Sequence, residues 1–252
     1  MATAPELQRA DNATIRAARR DLAAAYRLIA LFGWDDHVAT HMSARLPDGT
    51  FLLNPFGSMF EEITASSLMQ VDMDGKVIAP PGTPINPAGY TIHSGVLSGR
   101  ADVNAVIHLH TRDGVAVSAT KEGLLPLNQT ALTIYHDLAY HEFEGVASDL
   151  EERERLQADL GSKNILILRN HGTLAVGGSV GAAFARIYML EWACATQVRT
   201  LSMGRELNLP SPEVVARMGE QMSGGFAEGF AQYVFWPAML RKAERECPGF
   251  DA

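Results

Sequence analysis

Apolar positions recur with a helical period in several segments of the chain. Residues 12–32 and 179–203 carry apolar side chains three and four positions apart, which predicts two long amphipathic helices. Asn12 is a suitable N-cap for the first helix, and Gly33 is a suitable stop. Shorter segments predict further helices at 88–100, 114–123 and 151–161.

Strand-forming residues occupy the intervals between these helices. One hairpin is predicted with strands near 40–46 and 50–55 around a Pro-Asp-Gly turn, and another over 67–79 around an Asp-Gly turn. Residues 104–110 and 164–170 are rich in Val, Ile and Leu, which predicts buried strands. Helices that alternate with strands indicate an α/β fold.

The composition indicates a folded protein with a substantial core. Apolar residues make up 47% of the chain and charged residues 20%, values typical of a globular domain. No repeat or linker divides the sequence, so we expect a single domain over 1–252, with 206–252 as a C-terminal helical extension. The net charge of −8 argues against nucleic acid and anionic membranes as partners, since both need a cationic surface.

The cysteines and the apolar segments bear on location. Cys194 and Cys247 are the two cysteines, and their spacing predicts neither a disulfide nor a thiolate metal site. The first twenty residues mix charges and lack the apolar segment of a secretory signal. No stretch approaches the roughly 18 apolar residues of a membrane span. These features predict a cytoplasmic protein.

The segment "NAVIHLHTR" at 104–112 combines strand formers with two histidines. In a strand, His108 and His110 point to the same face, while Ile107 and Leu109 point to the other. His171 follows the predicted strand 164–170 and is a third candidate. A His-x-His pair with one remote histidine is a common set of ligands for a catalytic divalent ion. Three unrelated, hydrogen-bonded histidines are the alternative.

Three longer motifs resemble the class II aldolase/adducin family. They are "LNPFGSMFEEITASSLMQVDMDGKV", "NPAGYTIHSGVLSGRADVNAVIHLHT" and "ILILRNHGTLAVGGSVGAAF", and the resemblance extends over about residues 15–205. It implies a three-layer α/β/α sandwich with a mostly antiparallel central sheet, usually assembled as a homotetramer with sites at subunit interfaces. It also implies a divalent metal ion held by His108, His110 and His171. Zinc is the first expectation, with manganese or iron as alternatives.

The sequence departs from the family's sugar-phosphate aldolases at the expected substrate site. Gly89 stands where those enzymes have an acid/base glutamate, and Pro87 and Ala88 replace two phosphate-binding serines. The other phosphate-loop positions fall on 40–41 and 56–57. Because Pro lacks an N–H group and Ala and Phe side chains offer no donor, a phosphorylated sugar is disfavoured. Adducins share the Ala-Gly pair and the "PFG" segment.

The residues at these positions are candidates for contacts with substrate. The set is Phe56, Gly57, Asn86, Gly89 and Arg112. Arg112 follows the metal histidines and could clamp a carboxylate, with a structural salt bridge as the alternative.

Four residues are candidates for the catalytic role of the missing glutamate: His41, His93, Tyr140 and His141. His41 could bind a carboxylate or pass a proton, and otherwise is a loop histidine bonded to the backbone. His93 lies one turn after Gly89 and is expected to pack behind the metal ligands, or to occupy a helix face. Tyr140 and His141 could donate a proton to their own site or a neighbour's, with a solvated loop as the alternative.

Together these features predict a metal-dependent carbon–carbon lyase, either a decarboxylase or a retro-aldolase. A Lewis-acid metal stabilises the enolate common to both reactions, and decarboxylation needs only a late proton donor, so it tolerates loss of the glutamate. The expected substrate is a non-phosphorylated, carboxylated hydroxy, keto or aromatic small molecule. A non-catalytic adducin-like interaction module is the alternative, and a sugar-phosphate aldolase or epimerase ranks below it.

Overall fold

Eight strands of the described residues form one sheet at the centre of the protein. The structure is a computed structural model that describes residues 4–147, 149–223 and 226–252. The strands are β1 (His41–Arg45), β2 (Phe51–Leu53), β3 (Met69–Val71), β4 (Val77–Ala79), β5 (Ala105–Leu109), β6 (Leu138–His141), β7 (Ile165–Leu168) and β8 (Gly172–Gly177). Their order is β4-β3-β2-β1-β5-β8-β7-β6. Every neighbouring pair is antiparallel except β6 with β7, so the sheet is mostly antiparallel.

The α-helices of the described residues cover this sheet. They are α1 (Ala4–Phe32), α2 (Pro87–Gly99), α3 (Arg112–Ser118), α4 (Gln129–Ile134), α5 (Glu152–Leu160), α6 (Val180–Ser202), α7 (Pro212–Met222), α8 (Phe226–Phe230) and α9 (Trp236–Glu246). None of them combines the length and the apolar character that crossing a membrane requires.

Alternating side chains on the strands separate two apolar cores, one on each face of the sheet. Ile107 of β5 packs in the core that contains buried residues of α1 and α6, such as Phe184. Val106, its neighbour on β5, packs in the opposite core with Ile92 of α2 and Leu156 of α5. The fold is therefore an α/β/α sandwich, as the family resemblance implied.

The predicted helices and hairpins are present, with different ends. Helix α1 begins at Ala4, eight residues before the predicted start, so Asn12 lies inside the helix and is not its N-cap. Pro5 falls in the first turn, where a proline is tolerated. The helix predicted at 114–123 is α3, which ends at Ser118. The chain then turns, and Gly123 adopts φ of 65°, a left-handed conformation that favours glycine.

A tight hairpin joins β7 to β8 and carries the third histidine. The predicted strand 164–170 ends at Leu168, and the chain returns at Gly172, which pairs with Leu168. Asn170 in the turn has φ of 56°, and asparagine accepts this conformation more readily than most residues. The turn holds His171 at the end of the sheet where β5 also ends, because β8 pairs with β5.

Candidate metal centre

Three histidines converge at the ends of β5 and of the β7–β8 hairpin. His108 lies on β5, His110 follows its last residue on the same face, and His171 lies in the hairpin turn. One ring nitrogen from each lies within 4.8 Å of the others. The ring centroids of His108 and His110 are 4.7 Å apart, and each is 4.8 Å from that of His171. The structure therefore brings together the three predicted ligands.

Hydrogen bonds fix the orientation of two of these rings. His108 Nδ1 donates to the carbonyl oxygen of Thr173 at 3.0 Å, and His110 Nδ1 donates to the carboxylate of Asp36 at 3.2 Å. Because each Nδ1 carries the proton, both Nε2 atoms are bare acceptors, and they face one another at 2.9 Å. Two lone pairs at this distance repel each other unless both bind one cation. The donor set therefore fits a divalent metal ion.

Burial keeps these imidazoles neutral, which is the form that binds metal. It lowers the pKa of His108 well below its ordinary value, and the neighbouring imidazoles lower it further. Burial also lowers the pKa of His110, against the opposing effect of Asp36. The pKa of His171 falls to about 4 through burial and the nearby His110. Neutral imidazole nitrogens suit zinc, manganese and iron better than magnesium or calcium.

A buried chain of hydrogen bonds runs alongside the three histidines. His41 of β1 lies opposite His108 in the strand register, and their ring centroids are 5.1 Å apart. His41 Nδ1 is 2.8 Å from His93 Nε2, and His93 Nδ1 is 2.5 Å from the hydroxyl of Ser43. Burial lowers the pKa of His93 to about 3 and that of His41 well below its ordinary value. Both rings are therefore neutral at physiological pH.

A cleft of about 970 Å³ opens beside the histidines. Its lining includes Trp34, Asp36, His110, Arg112, Glu191 and Trp192. It thus combines one predicted ligand with aromatic surface and an exposed arginine, and carboxylates also line it at Asp35 and Asp113.

Comparisons with known proteins agree with this arrangement. Residues 20–198 match the family described as Class II Aldolase and Adducin N-terminal domain. The chain belongs to this family. A Caulobacter vibrioides protein named for aldolase class 2 is 52% identical over 242 residues, which cover 92% of this chain and 91% of that protein.

Two further proteins, an adducin and an aldolase, are also similar to this chain. Alpha-adducin of Mus musculus is 45% identical over 189 residues, which cover 73% of this chain but 26% of that protein. The structure of L-fuculose 1-phosphate aldolase from Glaciozyma antarctica PI12 superposes with a TM-score of 0.80 at 28% identity. The superposition covers 92% of this chain and 91% of that chain.

The predicted substrate contacts lie on the loop after β2 and at the starts of α2 and α3. Asn86 is the N-cap of α2, and its side-chain oxygen accepts hydrogen bonds from the amides of Ala88 and Gly89. Phe56 is 43% exposed on the loop after β2, and Gly57 next to it has φ of 101°. Arg112 begins α3 and lines the cleft with His110. Their contacts with substrate stay predictions.

Two predicted proton donors have partners away from the three histidines. The hydroxyl of Tyr140 accepts a hydrogen bond from the amide of Leu124, and Arg169 lies 4.2 Å above its ring. His141 Nδ1 donates to Asp159 at 2.7 Å on the α5 side of the sheet. Their catalytic roles stay predictions, whereas Phe143, two residues after His141, packs against the His171 ring with centroids 6.4 Å apart.

Sequence reasoning missed the residues that support the ligands. Asp36 orients His110, Thr173 orients His108, and Ser43 bonds to His93. Glu191 of α6 is buried and accepts hydrogen bonds from the hydroxyls of Thr111 and Thr173. The acidic residues directly before His37 could have indicated Asp36 as a partner of a histidine. A glutamate inside an otherwise apolar helix was a signal for Glu191.

Proposed function

We propose that this protein is a metal-dependent carbon–carbon lyase acting on a non-phosphorylated, carboxylated hydroxy, keto or aromatic small molecule. The reaction is a decarboxylation or a retro-aldol cleavage. The facing Nε2 atoms of His108 and His110 are the observation that carries the proposal, since their lone pairs call for a shared cation. His171 completes the set of ligands, and zinc is the first expectation.

The residues of this chain divide the chemical work. A divalent ion held by the three histidines supplies Lewis acidity toward a substrate oxygen. His41 takes the place of the absent glutamate, because its ring lies beside His108 and fills the space next to Gly89. If Ser43 donates to His93 and His93 donates to His41, then His41 Nε2 carries a proton that it can give. The reverse polarity leaves that atom free to accept one.

The expected substrate is a carboxylate rather than a phosphate ester. The guanidinium of Arg112 lines the cleft with His110 and can pair with either anion, so the distinction rests on the positions that would hold a phosphate. The loops that would hold a phosphate present Pro87 and the exposed ring of Phe56, and neither side chain donates a hydrogen bond. The likeness to L-fuculose 1-phosphate aldolase therefore extends to the fold more readily than to that substrate.

The decisive experiment combines metal analysis with product detection. We expect one divalent ion per chain in the purified protein and release of carbon dioxide or an aldehyde from a panel of hydroxy and keto acids, aromatic ones included. His110→Ala should abolish turnover with the fold retained. His136→Ala is the matched control, because His136 binds the carbonyl oxygen of Val215 outside the centre, and it should stay active. Stoichiometric metal with no product from any acid would contradict the proposal.

An adducin-like interaction module without chemistry is the second candidate, supported by the 45% identity to alpha-adducin. It predicts substoichiometric metal and a protein partner recovered by affinity capture. Tight, stoichiometric metal would count against it. A cytoplasmic homotetramer is part of the first proposal, and sedimentation of the purified protein tests the assembly.

A further inference from the structure

A buried carboxylate links the two segments that carry the predicted metal ligands. Glu191 lies on α6 and is 3% exposed. One of its oxygens accepts a hydrogen bond from Thr111 and the other accepts from the hydroxyl of Thr173 at 2.7 Å. Thr111 directly follows His110, and Thr173 lies two residues after His171. One side chain therefore holds both segments.

This linkage occurs where the ladder between β5 and β8 ends. The register pairs Leu109 with Thr173 as the last position. His110 and Thr111 lie beyond it, so cross-strand hydrogen bonds do not hold them in place. The hydroxyl of Thr111 also accepts from the amide of Gly114 and thereby caps α3. Its single proton goes to Glu191, which ties this segment to the rest of the fold.

The second half of the linkage reaches His108. The hydroxyl of Thr173 donates to Glu191, and its carbonyl oxygen accepts from His108 Nδ1 at 3.0 Å. A shift of Thr173 would therefore turn the His108 ring and redirect its Nε2. Burial raises the pKa of Glu191 to about 7, against the lowering effect of the two threonine hydroxyls. A carboxyl group buried in this way costs stability unless both oxygens are bonded, as they are here.

We propose that Glu191 is a positioning residue that sets the geometry of the three-histidine centre through Thr111 and Thr173. The inference rests on the metal centre of the proposed function, and it concerns the positions of the three histidines rather than the reaction. Glu191 does not touch the histidines itself. Its effect passes through the position of His110 on one side and the orientation of His108 on the other.

The test measures metal binding without substrate. Glu191→Gln keeps the size of the side chain but leaves one oxygen to accept from two threonine hydroxyls. We expect about a tenfold rise in the dissociation constant for cobalt or zinc, at the lower end of the effects of residues that support metal ligands. We also expect a changed visible absorption spectrum of the cobalt-loaded protein, since the ligand angles change. Thr173→Val removes only the hydroxyl and should shift both in the same direction.

Gln197→Glu is the matched control. Gln197 lies on the same helix, is 2% exposed, and bonds to the backbone of Gly123 and Leu125, which carry no ligand. This change from Gln to Glu is the reverse of the change at Glu191. It should lower thermal stability while leaving the cobalt spectrum and the metal affinity unchanged. The positioning role alone would be overturned if Glu191→Gln and Gln197→Glu changed the metal affinity and the spectrum equally. It would also be overturned if Glu191→Gln had the affinity and the spectrum of the wild type. Failure of the wild-type protein to bind any divalent metal would overturn the proposed function as well.

Discussion

Gly89 and His41 occupy complementary space: a Cβ atom added at residue 89 would lie 2.8 Å from Cδ2 of the His41 ring. Gly89 is in the first turn of α2, and His41 begins β1, so the contact joins two elements far apart in sequence. The ring of His41 is held by its hydrogen bond with His93 and cannot move away freely. The absence of a side chain at residue 89 thus accompanies the imidazole ring at residue 41.

Gly89→Ala is expected to destabilise the protein by about 1–3 kcal/mol, the usual cost of overpacking a closed space. In a His41→Ala background the same substitution should cost much less, because the ring is gone. Urea unfolding of the wild-type protein, both single variants and the double variant measures the coupling. Gly229→Ala is the control, since a Cβ there meets open space. Additive costs at residues 41 and 89 would rule out the steric coupling.

Asp36→Asn is expected to weaken metal binding by 10- to 100-fold, the range typical of partners that orient ligating histidines. The charged carboxylate accepts from His110 Nδ1 at 3.2 Å and so keeps its Nε2 bare. An amide accepts this bond less strongly. Competition with a chromogenic chelator measures the affinity. Asp35→Asn, the adjacent change in the same cleft, should bind metal as the wild type does, and a similar loss there would point to general electrostatics.

His93 should make the metal-free protein lose stability in acid. Its pKa is about 3 in the folded state, whereas the ordinary value is 6.5. Between these values the unfolded chain binds a proton that the folded chain does not, so stability present above pH 6.5 is lost as the pH falls. At pH 5 this single group accounts for about 2 kcal/mol.

Urea unfolding of the metal-free protein at pH 7.5 and pH 5 tests the acid effect. His93→Gln removes the titrating group, so the variant should lose about 2 kcal/mol less than the wild type between these pH values. The comparison at pH 7.5 serves as the internal control, because His93 is neutral there in both states. An identical pH response in the two proteins would contradict the expectation.

Zinc is expected to raise the thermal midpoint of the metal-free protein. A ligand that binds only the folded state adds about 2.7 kcal/mol when its free concentration is 100 times its dissociation constant. His110→Ala should lose most of this shift, while His136→Ala should retain it. Differential scanning calorimetry with and without zinc gives the comparison. A similar shift in all three proteins would mean that the ion binds outside the three histidines.

The core of the centre could be predicted because its signals are local in sequence. Alternation along residues 104–110 places His108 and His110 on one face, and in the structure their ring centroids are 4.7 Å apart. The hairpin turns at 47–49 and 74–75 were equally visible as Pro-Asp-Gly and Asp-Gly. His171 could be identified as a candidate because it follows the end of a run of apolar residues.

The supporting contacts could not be predicted because they depend on tertiary packing. Asp36 and His110 are separated by 74 positions, and Thr111 and Glu191 by 80. No periodicity connects such pairs. The absence of the glutamate at Gly89 could be recognised from the motif. The His41 ring beside Gly89 could not, because that contact depends on how α2 packs against β1. Asn86 caps α2, a role that the motif did not indicate, and its contact with substrate stays a prediction.

Strands β5 and β8 have paired neighbours on both sides, so His108 lies on backbone in the interior of the sheet, and His110 and His171 lie directly beyond the ends of these strands. Amide protons there should exchange with deuterium only on global opening. We therefore expect the scaffold to fold without an ion, unlike a zinc finger, whose folding depends on its metal. A bound ion should then be removable by dialysis and replaceable by a spectroscopically visible one without refolding of the protein.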